Sequence, residues 1–206
     1  MRMLVSRLAL AAALAVGAGT LSEAFAHSEW RAVKQFSVRS NPNSVWSYIY
    51  SGGLLPSSTG SYAGIKHLLS WNDNENTPDF VGVTANKTGM TQTLSGGTVY
   101  FPTNYLELDG ESDPLGADVR FTAPEEGVYH ISGAFEGCDT QEQSHPVVVE
   151  VNQKAVYTAT INSFESPLSF RIKARLKAKD VVDFISQGSG SGANLGTCLR
   201  VNVGGP

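Results

Sequence analysis

The sequence predicts an all-β antiparallel sandwich. Short runs that alternate apolar and polar residues recur through the second half of the chain, each closed by a turn signal. After residue 27 no stretch keeps the 3.6-residue apolar period of a helix. The chain has 206 residues, 41% hydrophobic and 17% charged, with 21 Gly and 9 Pro. That suits one domain with its own core and excludes a coiled coil, a collagen-like fibre and a wholly disordered chain.

The chain opens on a leader. Arg2 and Arg7 form a positive start, residues 8–16 (LALAAALAV) an apolar run, and Ala24-Phe25-Ala26 a small-x-small cleavage signal. Residues 1–26 therefore read as a signal peptide of bacterial, Ala-rich kind, and residues 27–206 as a single exported domain, secreted or periplasmic. The apolar run is shorter than the ~20 residues that span a bilayer. Without Arg2, Arg7 and Glu23, the 15 basic and 19 acidic residues become 13 and 18, a net charge of −5. A mildly acidic protein is a poor partner for nucleic acid or anionic lipid.

The first half is irregular. Residues 36–38 and 45–50 read as strands about a turn at Asn41-Pro42-Asn43. Residues 51–64 read as loop and 72–79 (NDNENTPD) as a polar turn, followed by short strands at 80–84 and 98–101. The second half is clearer. A strand at 119–122 stops at Pro124. Residues 128–135 set Tyr129, Ile131 and Phe135 on one face, His130 and Ser132 on the other. Residues 147–151 turn at Asn152-Gln153-Lys154 into 155–161. Leu168, Phe170, Ile172, Ala174 and Leu176 alternate with Ser169, Arg171, Lys173 and Arg175, a period of two that no helix could bury on one face. A turn at 177–180 leads to a strand at 181–185. Residues 187–196 (QGSGSGANLG) form a flexible loop before the last strand, 197–203.

Cys138 and Cys198 are the only cysteines. Their 60-residue separation fits no compact zinc motif. Export favours a disulfide, and antiparallel neighbouring strands would bring the end of one and the start of the other together. A free or metal-binding thiol is the other reading.

Three segments carry a resemblance. Residues 41–48 (NPNSVWSY), residues 119–124 (VRFTAP) with Gly127-Val128-Tyr129, and residues 179–184 (KDVVDF) resemble the N-P-N-G-V-W-S-Y opening, the R-W-T-A-P…G-x-Y hairpin and the G-D-x-V-D-F turn of a β-sandwich domain found in exported bacterial proteins of the PEP-CTERM type. The resemblance spans roughly residues 34–203. It implies a jelly-roll-like sandwich similar to carbohydrate-binding modules, and no assigned activity. Ser44 and Lys179 stand where that pattern has Gly, and its sorting tail is missing.

Several groups are candidates for chemistry. Trp46, Tyr48 and Tyr50 share one side of a strand, where they form either a sugar-stacking platform or sandwich core. Tyr62, Trp71 and Tyr105 lie in loop-like contexts as freer stacking candidates. Burial of Trp46, Tyr48, Trp71 and Tyr105 would remove the stacking reading. Arg171, Lys173 and Arg175, with Lys177 and Lys179, make a positive patch that reads as contact with an acidic polysaccharide or as a charged edge that resists aggregation. Asp109, Glu111 and Asp113 have the one-apart spacing of a calcium loop, so a structural calcium and a solvated acidic turn are both open. No HExxH, GxSxG or Gly-rich phosphate loop is present, and no catalytic residue is named. The functional expectation is a non-catalytic exported module that binds cell-surface or matrix glycan. The alternatives are a structural or interaction protein of the envelope or matrix, and then a polysaccharide hydrolase.

Overall fold

A computed structural model describes residues 28–73, 81–110, 115–188 and 194–206. The leader 1–26, its cleavage point at His27, Glu111, Asp113 and most of the turn at 72–79 lie outside the described residues. In chain order the strands are β1 (Glu29–Arg31), β2 (Trp46–Tyr50), β3 (Gly53–Leu54), β4 (Ser57–Thr59), β5 (Leu68–Asn72), β6 (Gly82–Asn86), β7 (Gln92–Leu94), β8 (Val99–Phe101), β9 (Leu106–Asp109), β10 (Ala117–Thr122), β11 (Gly127–Gly137), β12 (His145–Val151), β13 (Lys154–Ile161), β14 (Leu168–Leu176), β15 (Val181–Ser186) and β16 (Thr197–Gly204). A single helical turn, α1 (Ala32–Gln35), follows β1. No helix among the described residues is long and apolar enough to cross a membrane.

Two antiparallel sheets face each other. The first runs β14-β11-β16-β9-β6-β5-β4, with β1 also paired to β16, and the second runs β13-β12-β15-β10-β2-β3. Their inner faces form one core: Tyr129, Ile131, Phe135, Leu199 and Val201 from the first, Trp46, Tyr48, Phe121, Val149 and Phe184 from the second. Rings meet across it, with Phe170 stacked on Phe184 at 5.8 Å and Phe121 edge-on to Tyr129 at 5.8 Å. Aromatic pairs in such geometries add about 0.5–1.5 kcal/mol each beyond area burial. The expected sandwich is therefore the observed architecture.

Alternation read correctly wherever one strand face meets this core and the other meets water. The β12–β13 hairpin turns through Asn152 and Gln153, both at positive φ (50° and 65°), as a tight twisted hairpin requires. The first half needs correction. Residues 36–38 form no strand: Phe36 packs on Tyr48 at 4.6 Å, and the Ser37 carbonyl accepts the Trp71 indole N–H at 2.8 Å instead of joining a ladder. The stretch 51–64 contributes β3 and β4, and β5, β7 and β9 were not expected. Trp71 stands on β5, not in a loop.

The motif residues latch the frame. Asn41 donates to the Tyr48 and Leu55 carbonyls and accepts from the Tyr48 N–H. Arg120 on β10 lies opposite Asp183 on β15 and holds it through two guanidinium nitrogens at 2.5 and 3.2 Å. The Tyr129 hydroxyl donates to the Glu125 carbonyl at 2.9 Å. Ser44 and Lys179 sit at φ 55° and 75°. A left-handed position costs an L-residue about 1–2 kcal/mol and glycine far less, part of which glycine returns as entropy in the unfolded chain. Ser44→Gly and Lys179→Gly should each stabilise by about 0.5–1 kcal/mol, read as a higher urea midpoint at unchanged m-value.

Cys138 and Cys198 are bonded, with their Cα atoms 5.5 Å apart. They join the end of β11 to the start of the adjacent, antiparallel β16. Closing a 60-residue loop constrains the unfolded chain. Reduction, or Cys138→Ser with Cys198→Ser, should cost about 2–4 kcal/mol in urea unfolding.

Candidate functional site

Burying alternate residues of β14, β11 and β16 turns the intervening ones outward. The registers then align rows across the outer face of the first sheet. One row runs Arg171, Ser132, Asn202, Arg31; the next runs Lys173, His130, Gly204, Glu29; a third runs Ser169, Ala134, Arg200. Two adjoining hollows open over these rows. One, of about 360 Å³, is bounded by His130, Ser132, Arg171 and Lys173. The other, of about 310 Å³, is bounded by Ser132, Ser169, Arg171, Arg200 and Asn202. They share Ser132 and Arg171. A third, of about 340 Å³, shares Arg200 and Asn202 and continues past Arg31, Lys34 and Lys87. Together they form a groove that crosses the strands.

Its charge is positive and largely uncommitted. Among the described residues neither Arg171 nor Lys173 has an ion-pair partner within 4 Å; both are exposed. Arg200 lies over the Tyr105 ring, 5.3 Å from its centroid, and the Tyr105 hydroxyl donates to Glu136 at 3.2 Å. Burial, aided by Glu136, pushes the Tyr105 phenol up, so it stays a neutral donor. Lys87 donates to the Val33 carbonyl, and burial lowers its pKa. Hydroxyl, amide and imidazole groups at Ser132, Ser169, Asn202 and His130 supply hydrogen-bonding partners between the cations.

The sequence-predicted residues divide accordingly. Arg171 and Lys173 line the groove. Arg175 lies outside these hollows and is paired with Glu126 at 2.8 Å. Trp46 and Tyr48 are fully buried, Trp71 is 7% exposed and Tyr105 9%. All four are therefore withdrawn as stacking platforms: three fill the sandwich core and Tyr105 packs on the disulfide. Tyr62 is half-buried and edge-on to Phe101 at 6.1 Å. Of the acidic triplet only Asp109 is described, at the end of β9. Sequence reasoning missed Arg200 and Asn202. Their alternation in 197–203 was a usable signal, but nothing in the sequence said that β16 lies two strands from β14.

A second polar group lies between the sheets. His145 Nδ1 meets the Gln143 carbonyl at 2.9 Å and Nε2 meets the Thr197 hydroxyl at 2.7 Å, which in turn meets Ser186 at 2.6 Å. Glu142 lies 3.4 Å from Nδ1. The order acid, imidazole, hydroxyl is that of a proton relay, but His145 and Ser186 are each 1% exposed and Thr197 0%, so no substrate reaches them. Burial lowers the His145 pKa, keeping the ring neutral, and pushes the Glu142 carboxyl up to about 8. A carboxyl raised on folding favours the folded state below its unfolded pKa of 4.5 and loses that contribution as pH rises through 8. Glu142→Gln should therefore raise Tm at pH 8.5 and change it little at pH 5.

No protein-family model matches the chain, and no curated protein matches it in sequence. Several solved structures are similar in shape. A family 51 carbohydrate-binding module from Clostridium perfringens, in complex with methyl-galactose, has 7% identity and a TM-score of 0.41 over 85% of this chain and 99% of that one. A family 35 module from Clostridium thermocellum has 16% identity and a TM-score of 0.33 over 60% and 92%. An arabinose-bound α-L-arabinofuranosidase has 10% identity and a TM-score of 0.41 over 60% of this chain and 22% of its own. The chain thus spans about a fifth of that enzyme.

Proposed function

We propose that the protein is an exported, non-catalytic module that binds acidic polysaccharide of a cell surface or matrix across the outer face of β14, β11 and β16. The observation that carries this is the exposed pair Arg171 and Lys173, without ion-pair partners among the described residues, aligned with Arg200 in one groove. The chain is acidic overall, at −4, so this local excess of cations is not a by-product of composition. Spaced cations would meet the carboxylates or sulfates of a polymer, and the hydroxyl and amide groups between them its hydroxyls. Binding would rest on charge and hydrogen bonds, not on ring stacking. The disulfide and the signal-like leader support export. The three motif segments support kinship with the exported β-sandwich domains they resemble.

Retention of the purified protein on immobilised polygalacturonate and alginate tests this, with galactan and xylan as neutral controls. The acidic polymers should retain it, and salt should release it. Reversing two exposed charges, each worth about 0.5–1 kcal/mol to a solvated anion, should weaken binding roughly tenfold in Arg171→Glu/Lys173→Glu. Retention unchanged in that variant, or none on either acidic polymer, would overturn the reading.

A further inference from the structure

The groove does not stop at Arg200. Its third hollow shares Arg200 and Asn202 with the second and continues to Lys34, Lys87, Thr103 and Asn104. Core packing fixes this far end. Ala32 is fully buried. Gln35 accepts from the Trp46 indole N–H at 2.9 Å through its side chain and from the Asn43 side-chain amide at 2.7 Å through its carbonyl. Lys34 lies between these two anchors in the single turn α1 and is exposed. Among the described residues it has no ion-pair partner within 4 Å. Lys87, just after β6, ties the turn down by donating to the Val33 carbonyl. Thr103 and Asn104, between β8 and β9, add a hydroxyl and an amide.

Both ends of the groove thus carry the same chemistry. At one end Arg171 and Lys173 stand with Ser132 and Ser169; at the other Lys34 and Lys87 stand with Thr103 and Asn104; Arg200 and Asn202 lie between. Among the described residues no carboxylate lines any of the three hollows. Arg31 is spent on Glu29 at 2.8 Å. The register measures the separation of the ends. Arg171 and Arg31 close one row three strand steps apart, about 14 Å at 4.7–4.9 Å per step. Lys34 follows Arg31 by three residues in the chain. That span exceeds a single sugar ring, and a site that repeats its cations suits a ligand that repeats its charge. Resting on the acidic-polysaccharide reading above, we infer that the groove recognises an extended run of several acidic sugar residues, with Lys34 as the far contact. Once one end of such a run is held, the second contact is intramolecular, so affinity grows with chain length until the span is filled. A short acidic saccharide engages one end alone and binds weakly.

Oligogalacturonates of defined length test this by calorimetry and NMR titration of the purified protein at constant ionic strength. The hexasaccharide should bind at least about tenfold more tightly than the disaccharide. Lys34→Glu should lower that ratio about threefold or more, and Lys34→Gln should lower it less, in the same direction. Lys154→Glu reverses an exposed charge on β13, in the opposite sheet, and should leave the ratio at the parent value. It separates a contact at Lys34 from a change in net charge. A parent ratio near one, or a ratio undiminished in Lys34→Glu, sinks the length inference while retention on polygalacturonate stands. Absence of binding to hexasaccharide and polymer alike sinks the acidic-polysaccharide reading and the length inference with it.

Discussion

Everything on the outer face of the first sheet depends on which residues of β14 and β11 are buried. Phe170 lies against Phe135 at 5.5 Å, Tyr157 at 5.5 Å and Phe184 at 5.8 Å. Burying a Phe side chain is worth about 1.5–3 kcal/mol. Because side chains alternate with a period of two, that contact alone puts Ser169 and Arg171 outside, and a one-residue slip would place Arg171 and Lys173 in the core. The slip is blocked twice. A charged core is prohibitively costly, and Gly133 admits only this register. A Cβ there would come within 2.2 Å of the Arg200 carbonyl oxygen and 2.6 Å of the Phe170 ring. The groove therefore follows from packing beneath it.

The same logic explains why the recognisable segments are silent about ligand. Asn41, Arg120 with Asp183, and Tyr129 all spend their polar groups on backbone or on each other. They hold β2, β10, β15 and the start of β11, which belong mostly to the sheet opposite the groove. A chain can keep such latches and change every outward side chain of β14 and β16 without disturbing the frame.

Legibility in the sequence tracked solvent. Where one strand face meets the core and the other water, as in β14, the strand and its outward residues could be read directly. Where both faces are buried, the pattern is lost. Leu68-Leu69-Ser70-Trp71-Asn72 shows no alternation because Ser70 and Asn72 are as buried as Trp71. Trp71 consequently reads as a loop aromatic, although it stands on β5 and fills core; Tyr105 does lie in the loop before β9, but is buried against the disulfide and under Arg200. Sheet order was hidden for another reason. β16 is the last strand, yet it sits between β11 and β9 and also receives β1. Arg31, Arg171 and Arg200 are brought together only by that crossover. The disulfide could be foreseen because it needed one local fact, that a strand end and a strand start were antiparallel neighbours.

The two halves of this face are opposite in sign and share a strand. Glu107 pairs with Cys198 on β16. Arg200 is two residues further on the same side, about 7 Å away along the strand. That is within the roughly 8 Å screening length at physiological salt. The carboxylates on β9 therefore lower the positive potential that Arg200 presents to a polyanion, and the attraction of the groove rests most on Arg171 and Lys173, further from β9. Tyr105 fits this division. Its ring lies under Arg200 and against the disulfide, so the guanidinium that lines the groove rests on a buried, neutral face.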